Sequence, residues 1–584
     1  MTSTDDRTPT DADVCIIGAG PAGALTAYSL ARRGHDVVVL EAGERLTPED
    51  HHRRMEMWLR PNFERNAFWL DELRDAYTST GEINARLNDT RVKAVGGTSL
   101  HWDANTPRLH EADFEMHTRH GLGRDWPISY DDLRPYYVRA EREMGVSGAD
   151  DNPDGPLREE PYPLKPFEPS YSDSLFAEAC EELGIAMVTQ PKAINSEAYD
   201  DRSECVGYGV CNACPSGAKY SAEIHVRKAE TEGARVVDQV QALSLEHDWE
   251  GDTVEAVRYA APDGSEYRQE ADQFIVACGG IETPRLLLLS KSDVYPDGLA
   301  NSSGAVGRYL MDHPSVETTA VLAEPTRQSN IGWVSSRSDQ FYGIDSPGPG
   351  SYHLTFSNTA KSTSGGAQLR SPPTSPSNVL DAVEDPSSEA LADLANDPLN
   401  ATTFGDGLDL PTTAGPPYPL SIRGAGEMLP RADNRVTLDR SQTDSYGRPV
   451  PSIDLSDGEH EPSNSKGTAR SDAVPSIDLS DGEHERETIA HCREIQKAIL
   501  SELGAEVTGS STLSGRDMST HHMGTTRMGT DPTESVVNEE CRTHDLSNLW
   551  IASSSVFPTG GANNPTLTIG ALAIKTADHI DETL

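Results

Sequence analysis

At 584 residues the chain is too long for one ordinary hydrophobic core, and two domains, consecutive or interleaved, are expected. Lys and Arg number 49 against 94 Asp and Glu, a formal charge of −45 with pI near 4.6, which excludes nucleic acid and anionic membranes as partners. No apolar run approaches the roughly 20 residues that span a bilayer, and the polar start MTSTDDRTPTDAD lacks a basic or apolar leader region, so a cytoplasmic protein without direct membrane insertion is expected.

The first readable unit runs from Asp11 to Glu44. Val14 to Ile17 predict a buried strand, Gly18, Gly20 and Gly23 a GxGxxG turn, Ala22 to Arg33 a helix, and Asp36 to Leu40 a second strand. Gly18 permits the tight turn, Gly20 lets backbone approach a pyrophosphate at the helix N-terminus, and Gly23 lets helix pack on strand. Glu41, ending the second strand, can accept hydrogen bonds from the ribose of an adenosine. The unit therefore reads as a dinucleotide-binding β-α-β motif. Met55 to Tyr77 reads as a polar helix. VKAVGGTSLHWDANTPRL, Val92 to Leu109, then places Gly96 and Gly97 before Thr98, Ser99, His101 and Trp102.

From here the chain resembles the glucose-methanol-choline (GMC) oxidoreductases. Val92 to Leu109 is similar to their second flavin-contacting motif, and Asp125 to Gly148 to the stretch that follows it. FIVACGGIETPRLLLLS, Phe274 to Ser290, resembles their strand-turn-helix signature, VGRYLMDHP, Val306 to Pro314, their usual loop, and His521 to Ile580 their C-terminal block. The resemblance implies an α/β protein, α+β overall. A Rossmann-like FAD-binding domain would be assembled from 11–110, 226–323 and 516–584. An antiparallel-sheet-and-helix substrate domain would take 111–225 and 324–515. Local patterning agrees: Ala234 to Glu246, Val254 to Ala260, Glu270 to Cys278 and Asn548 to Ala552 all read as strands. Glu324 to Ser421, rich in Pro, Ser, Gly and Asp, reads as loops around a substrate entrance, with a helical candidate from Asn378 to Leu394. VPSIDLSDGEHE occurs at Val450 to Glu461 and again at Val474 to Glu485. Two copies without a core-sized apolar face cannot stack as a solenoid, so one copy is expected in a strand before a helix at Glu487 to Leu503. Residues 462–485 would form a flexible, solvated insertion.

Alcohol oxidation by a flavin needs a base for the hydroxyl proton and a donor that steadies the alkoxide. In HHMGTTRMG, similar to the family's HxxGTxRMG, the spacing assigns the base to His521, whose neutral imidazole suits abstraction near neutrality. In the family pattern NPTLTI the donor is Asn564, placed beside the histidine; a helix-capping role is compatible with this. The resemblance implies FAD contacts by Gly97, Thr98 and Ser99 and by groups near Ala242 and Ser554. It also puts His101 where some relatives attach flavin covalently, and covalent and noncovalent attachment both stay open. Cys205, Cys211 and Cys214, spaced C-x5-C-x2-C, are similar to a C-x5-C-x3-C stretch in flavoprotein subunits of bacterial sugar and gluconate dehydrogenases, where three cysteines hold a [3Fe-4S] cluster. A cluster, a zinc site completed by His225 or Cys180, and simply buried cysteines are the readings for these residues.

The function implied is an FAD-dependent dehydrogenase oxidising a CH–OH group of a sugar, polyol or sugar acid, with an electron-accepting subunit or carrier as partner. The alternatives are a choline-type or simple alcohol dehydrogenase or oxidase, a non-redox lyase on the same fold, and an electron-transfer subunit of a complex. The acids are spread along the chain, as on a surface adapted to roughly 1 M salt, where the Debye length is about 3 Å; this points to a halophile.

Overall fold

Four consecutive apolar residues, VCII, can bury both faces only inside a parallel sheet, and they form its first strand, β1 (Val14–Ile17). The computed structural model describes residues 9–59, 74–81, 87, 90–207, 211–214, 216–324, 326, 335–343, 348–357, 418–456, 482–511 and 519–584. Helix α1 (Pro21–Ala31) follows β1, with Gly20 at the N-cap and Pro21 in its first turn, where a missing N–H costs nothing. It leads to β2 (Val37–Leu40). Next come β3 (Arg235–Val237), β4 (Gln273–Val276), helix α2 (Gly279–Leu289), β5 (Leu549–Ile551) and the terminal helix α3 (Thr566–Thr583). The sheet runs β5-β4-β1-β2-β3, every pair parallel, so strands from distant parts of the chain share one Rossmann-like layer. Helix α3 packs on α1 and on the helix Tyr130–Met144.

The stretch Ala234 to Glu246, expected as one strand, is two. Gln239 takes φ 56°, and the chain turns after β3 into Gln241–His247, which pairs antiparallel with Val254–Ala260 in a separate three-stranded sheet. The predicted helix from Met55 to Tyr77 is Pro48–Leu59; residues 60–73 lie outside the described residues, and Asp75 to Tyr77 are not helical. Most of the loop-rich middle, including the helical candidate from Asn378 to Leu394, also lies outside them.

A second sheet of six strands is built on Ser315–Leu322, Tyr418–Gly426 and Tyr352–Ser357, paired antiparallel. Its alternation is strict. Val316, Ala320, Leu354, Phe356, Leu420 and Ile422 face a core shared with the helices Tyr171–Glu182 and Glu483–Glu502. The intervening residues Glu317, Thr355 and Arg423 face the other way, as the period of two requires.

The repeated segment divides between two elements. The first copy supplies the strand Pro449–Asp454, and the second opens the helix Glu483–Glu502 through Gly482, at φ 82°. The end of the second copy is therefore not a solvated excursion: His484 is buried 2.8 Å from Glu427, and Glu485 pairs with Arg431 at 3.2 Å. Residues 457–481 lie outside the described residues. No helix among the described residues is long and apolar enough to cross a membrane.

Candidate active site

The C-terminal ends of β1, β2 and β4 open into a cavity of about 680 Å³. Its floor is set by glycines at which a side chain has no room. Gly18 takes φ +105°, and a Cβ there would lie 2.7 Å from the Ala277 carbonyl; a Cβ on Gly23 would lie 1.9 Å from the Gly18 carbonyl. Gly20 is different: nothing stands within 4 Å of its Cβ direction. Gly97, at φ +57°, brings the second glycine motif onto Gly20, its Cβ direction reaching the Gly20 Cα at 3.1 Å. A cradle of bare backbone, facing open space at the N-terminus of α1, fits a pyrophosphate.

Gly18, Gly20, Glu41, Gly97, Thr98, Ser99, His101, Ala242, Ser554, His521 and Asn564 all line this one cavity; Gly23 lies behind it, in the contact of helix with strand. The Glu41 carboxylate accepts from the Ala19 N–H at 2.8 Å and the Gly43 N–H at 2.9 Å, which opposes the upward push of burial on its pKa and fixes both loops. The Ala242 carbonyl accepts from Arg448 at 2.6 Å. The Ser99 hydroxyl donates to the Gly96 carbonyl at 2.6 Å and accepts from the Ala222 N–H at 2.9 Å, so it builds the wall. Ser554 donates to the His522 carbonyl at 2.7 Å and ties β5 to the loop of His521. Burial, with Lys219 and Arg54 nearby, pushes His101 down to about 3, which keeps it neutral.

At the other end of the cavity Asn564 lies 3.1 Å from His521 Nε2. Pro565, not Asn564, caps α3, and the Asn564 amide makes its bond to the histidine. Its neighbour Asn563 is buried, donating to the Arg108 carbonyl at 2.7 Å and accepting from Arg337 at 2.6 Å, so the two asparagines are clearly separated. His521 Nδ1 lies 2.9 Å from His313 Nδ1, and His313 Nε2 faces the Gly560 carbonyl at 3.4 Å. A carbonyl only accepts, so His313 carries its proton on Nε2 and its Nδ1 accepts from His521. The Nε2 lone pair of His521 is left pointing at Asn564. Asp312 holds both histidines, its Oδ1 accepting the N–H of His313 and of His521, each at 2.7 Å; burial pushes this carboxyl up to about 6 against those two bonds and Arg91. Burial, then His313, Arg423 and Arg91, push His521 well below its ordinary value. The adjacent His522 accepts from Arg91 and faces the N-terminus of α2, where a Cβ on Gly280 would come within 2.3 Å of the His522 carbonyl.

Residues 70–315 and 430–573 each match the sequence profile described as GMC oxidoreductase, and residues 16–56 the profile of an NAD(P)-binding Rossmann-like domain. The chain is 31% identical to the fructose dehydrogenase large subunit of Gluconobacter japonicus over 97% of both chains. The chain belongs to the GMC oxidoreductases. It is accordingly an FAD-dependent oxidoreductase acting on CH–OH donors. This GMC chain is also 29% identical to a 2-methyl-1,2-propanediol dehydrogenase of Mycolicibacterium austroafricanum, over 99% of its own length and 96% of that enzyme. Its fold matches the crystal structure of pyridoxine 4-oxidase from Mesorbium loti with a TM-score of 0.58, at 17% identity, over 98% of this chain and 99% of that one.

Within this GMC fold the three clustered cysteines stand apart from the cavity. Cys211 is buried in a short 3-10 turn, Cys211–Ala213, and Cys205 and Cys214 are half-buried and free. Burial pushes the Cys214 thiol up, but N–H groups of Lys219 and Ser216, the Ser216 hydroxyl and the Lys219 ammonium together hold it below its ordinary value. Among the described residues no three of His, Cys, Asp or Glu stand together as metal ligands, and of the readings open for Cys205, Cys211 and Cys214 the structure shows three free cysteines. His225, named for a zinc site, instead bridges Tyr220 and Glu143 at 3.0 Å each, and Cys180 lies in the separate core under the second sheet.

Sequence reasoning missed His313, Asp312, Arg91 and Arg423. His313 and Asp312 lie inside VGRYLMDHP, where an adjacent acid and histidine directly after Leu310 and Met311 were the available signal. Arg423 lies on a strand whose alternation is legible only once its neighbours are known.

Proposed function

We propose that the chain is an FAD-dependent dehydrogenase that oxidises a CH–OH group of a sugar, polyol or sugar acid and passes the electrons to a carrier or partner subunit. The observation that supports this most is the chain Asn564–His521–His313–Gly560 opening on the same cavity as the glycine cradle. The cradle, Glu41 and the backbone near Ala242 are suited to the pyrophosphate and adenosine of FAD. Segments 11–110, 226–323 and 516–584 would carry the cofactor, and 111–225 and 324–515 the substrate. When bound, FAD supplies a two-electron hydride acceptor.

The protein's own part is proton handling and charge stabilisation. A substrate hydroxyl fits between the two groups now in contact: its O–H donates to His521 Nε2 and its oxygen accepts from the Asn564 amide. As the proton moves to His521 the oxygen gains charge, and the Asn564 amide, released from His521 Nε2 by the entering hydroxyl, stabilises it. His313 keeps the other ring nitrogen of His521 protonated, so the lone pair stays on the side of the substrate. Burial keeps His521 neutral and able to accept. The names of the relatives, a fructose and a diol dehydrogenase, favour a polyhydroxylated substrate.

An anaerobic titration of the flavin absorbance with aldoses, ketoses, polyols, aldonates, choline and short alcohols tests the reading. Bleaching by a polyhydroxylated compound is expected. A fully flavinated protein that none of them bleaches would sink it.

A further inference from the structure

The second sheet presents its polar face to the cavity in rows. Strand register sets Glu317 opposite Arg423, and Arg423 opposite Thr355, so these three residues cross the sheet in a single row. All three line the cavity that holds His521 and Asn564. The neighbouring row contains Ser315, two residues beyond His313 in the chain, and Ala425. The row of Arg423 therefore lies one step, two residues or about 6.8 Å, beyond the row of Ser315, and its Glu317 four residues along the chain from His313.

Arg423 is exposed and Glu317 half-buried. The Arg423 guanidinium donates to two neutral oxygens, Ser315 Oγ at 3.2 Å and Ser519 Oγ at 3.3 Å. Residues placed directly opposite on antiparallel strands have Cβ atoms about 4.5–5.5 Å apart. Yet among the described residues no ion pair joins Arg423 to Glu317 or to any other carboxylate, in a chain with 94 acids against 49 bases. Two unlike charges side by side on a cavity wall and not closed on each other keep donors and acceptors for a third party.

We infer that Glu317 and Arg423 form an electroneutral reading pair that selects a neutral polyhydroxylated substrate, a sugar or polyol, over a sugar acid. This rests on the dehydrogenase reading above and narrows it. One hydroxyl of a neutral substrate donates to the Glu317 carboxylate and an adjacent oxygen accepts from Arg423, so both charges stay compensated when water leaves. A substrate carboxylate at this row meets Glu317 as a like charge, and an ammonium meets Arg423 in the same way; like-charge placement is how a site rejects a wrong partner.

The test compares a neutral sugar or polyol with its matching aldonate as reductant of the bound flavin under anaerobic conditions, in wild type, Glu317→Gln and Arg423→Gln. Wild type is expected to favour the neutral member at least about tenfold in kcat/KM. Glu317→Gln leaves an unopposed cation and should move the ratio about tenfold toward the acid. Arg423→Gln should raise KM for the neutral substrate about tenfold, the size expected for losing a hydrogen bond to a charged group, and should move the ratio further from the acid, while the loss of its push on His521 changes kcat for both substrates alike. A merely structural loss would lower both substrates alike and leave the ratio fixed. A wild type that prefers the acid, or a ratio that neither variant moves while neutral sugars still bleach the flavin, overturns the pair and leaves the dehydrogenase reading standing. Absence of bleaching by any CH–OH compound removes both.

Discussion

Replacing His313 by Leu removes the acceptor of the His521 Nδ1 proton without touching the substrate, the cofactor cradle or the base itself. His313 is fully buried, and its Nδ1 lies 2.9 Å from His521 Nδ1. With Leu in place, a buried N–H would have no partner, which costs about 1–3 kcal/mol. The imidazole escapes that cost by moving its proton to Nε2, where it can donate to the Asn564 amide oxygen once the amide turns, and in that tautomer it cannot act as the base. At about 1.4 kcal/mol per factor of ten, the active tautomer, and with it the rate of flavin reduction, should fall about 10- to 100-fold. Removing the base outright, His521→Ala, should cost more, about 10²- to 10⁴-fold. Stopped-flow reduction at saturating substrate measures both, with flavin content and thermal unfolding as controls for folding. His313→Gln keeps an acceptor oxygen near Nδ1 and should recover part of the loss. A His313→Leu enzyme that reduces its flavin within threefold of wild type would show that the Gly560–His313–His521 chain does not set the tautomer.

Burial and the neighbouring cationic groups push His521 below its ordinary value, so its neutral form persists as pH falls. The acid limb of kcat/KM should therefore lie below pH 6.5, and a limb at or above that value would contradict the assignment. Gly20→Ala should leave the apoprotein's melting temperature nearly unchanged but weaken FAD retention on gel filtration, because its Cβ points into open cavity. Gly23→Ala, whose Cβ would lie 1.9 Å from the Gly18 carbonyl, should destabilise the apoprotein itself; the reverse pattern would show that the phosphates sit elsewhere. With a formal charge of −45, raising salt from 0.1 M to roughly 1 M shortens the Debye length from about 10 to about 3 Å and should raise the melting temperature, and a flat or falling trend would argue against a halophilic surface.

The nucleotide half of the molecule was legible because its constraints are local. Gly18, Gly20, Gly23 and Glu41 lie within one β-α-β unit, and each residue type answers a backbone requirement that the unit itself imposes. Motif spacing singled out His521 and Asn564, which the fold brings to 3.1 Å of each other. Their support was not legible, because His313 meets His521 across 208 positions and Asp312 binds the His521 N–H across 209, and no periodicity spans such gaps. Ala234 to Glu246 was read as one strand although the adjacent polar pair Asp238 and Gln239 interrupts its alternation, and the positive φ of Gln239 sends the two halves into different sheets. The repeat was half legible. The strand in its first copy followed from the pattern, but whether the second copy's GEHE begins a helix depends on Glu427 and Arg431, which receive His484 and Glu485.

The chamber's design follows from how the second sheet is made. Even-numbered residues of Ser315–Leu322 and Tyr418–Gly426 pack on helices, and at Gly424 a Cβ would stand 2.0 Å from Cys492 Sγ, so that face tolerates little change. Of the odd-numbered residues on the same strands, Glu317, Ser421, Arg423 and Ala425 line the cavity, and Glu317 and Arg423 are not among the buried core. A substitution at Glu317 or Arg423 should therefore leave strand register and the helix-facing core in place. The cradle and the His521–Asn564 pair have no such freedom, since each contact there is backbone against backbone or a bond between half-buried side chains backed by the buried His313.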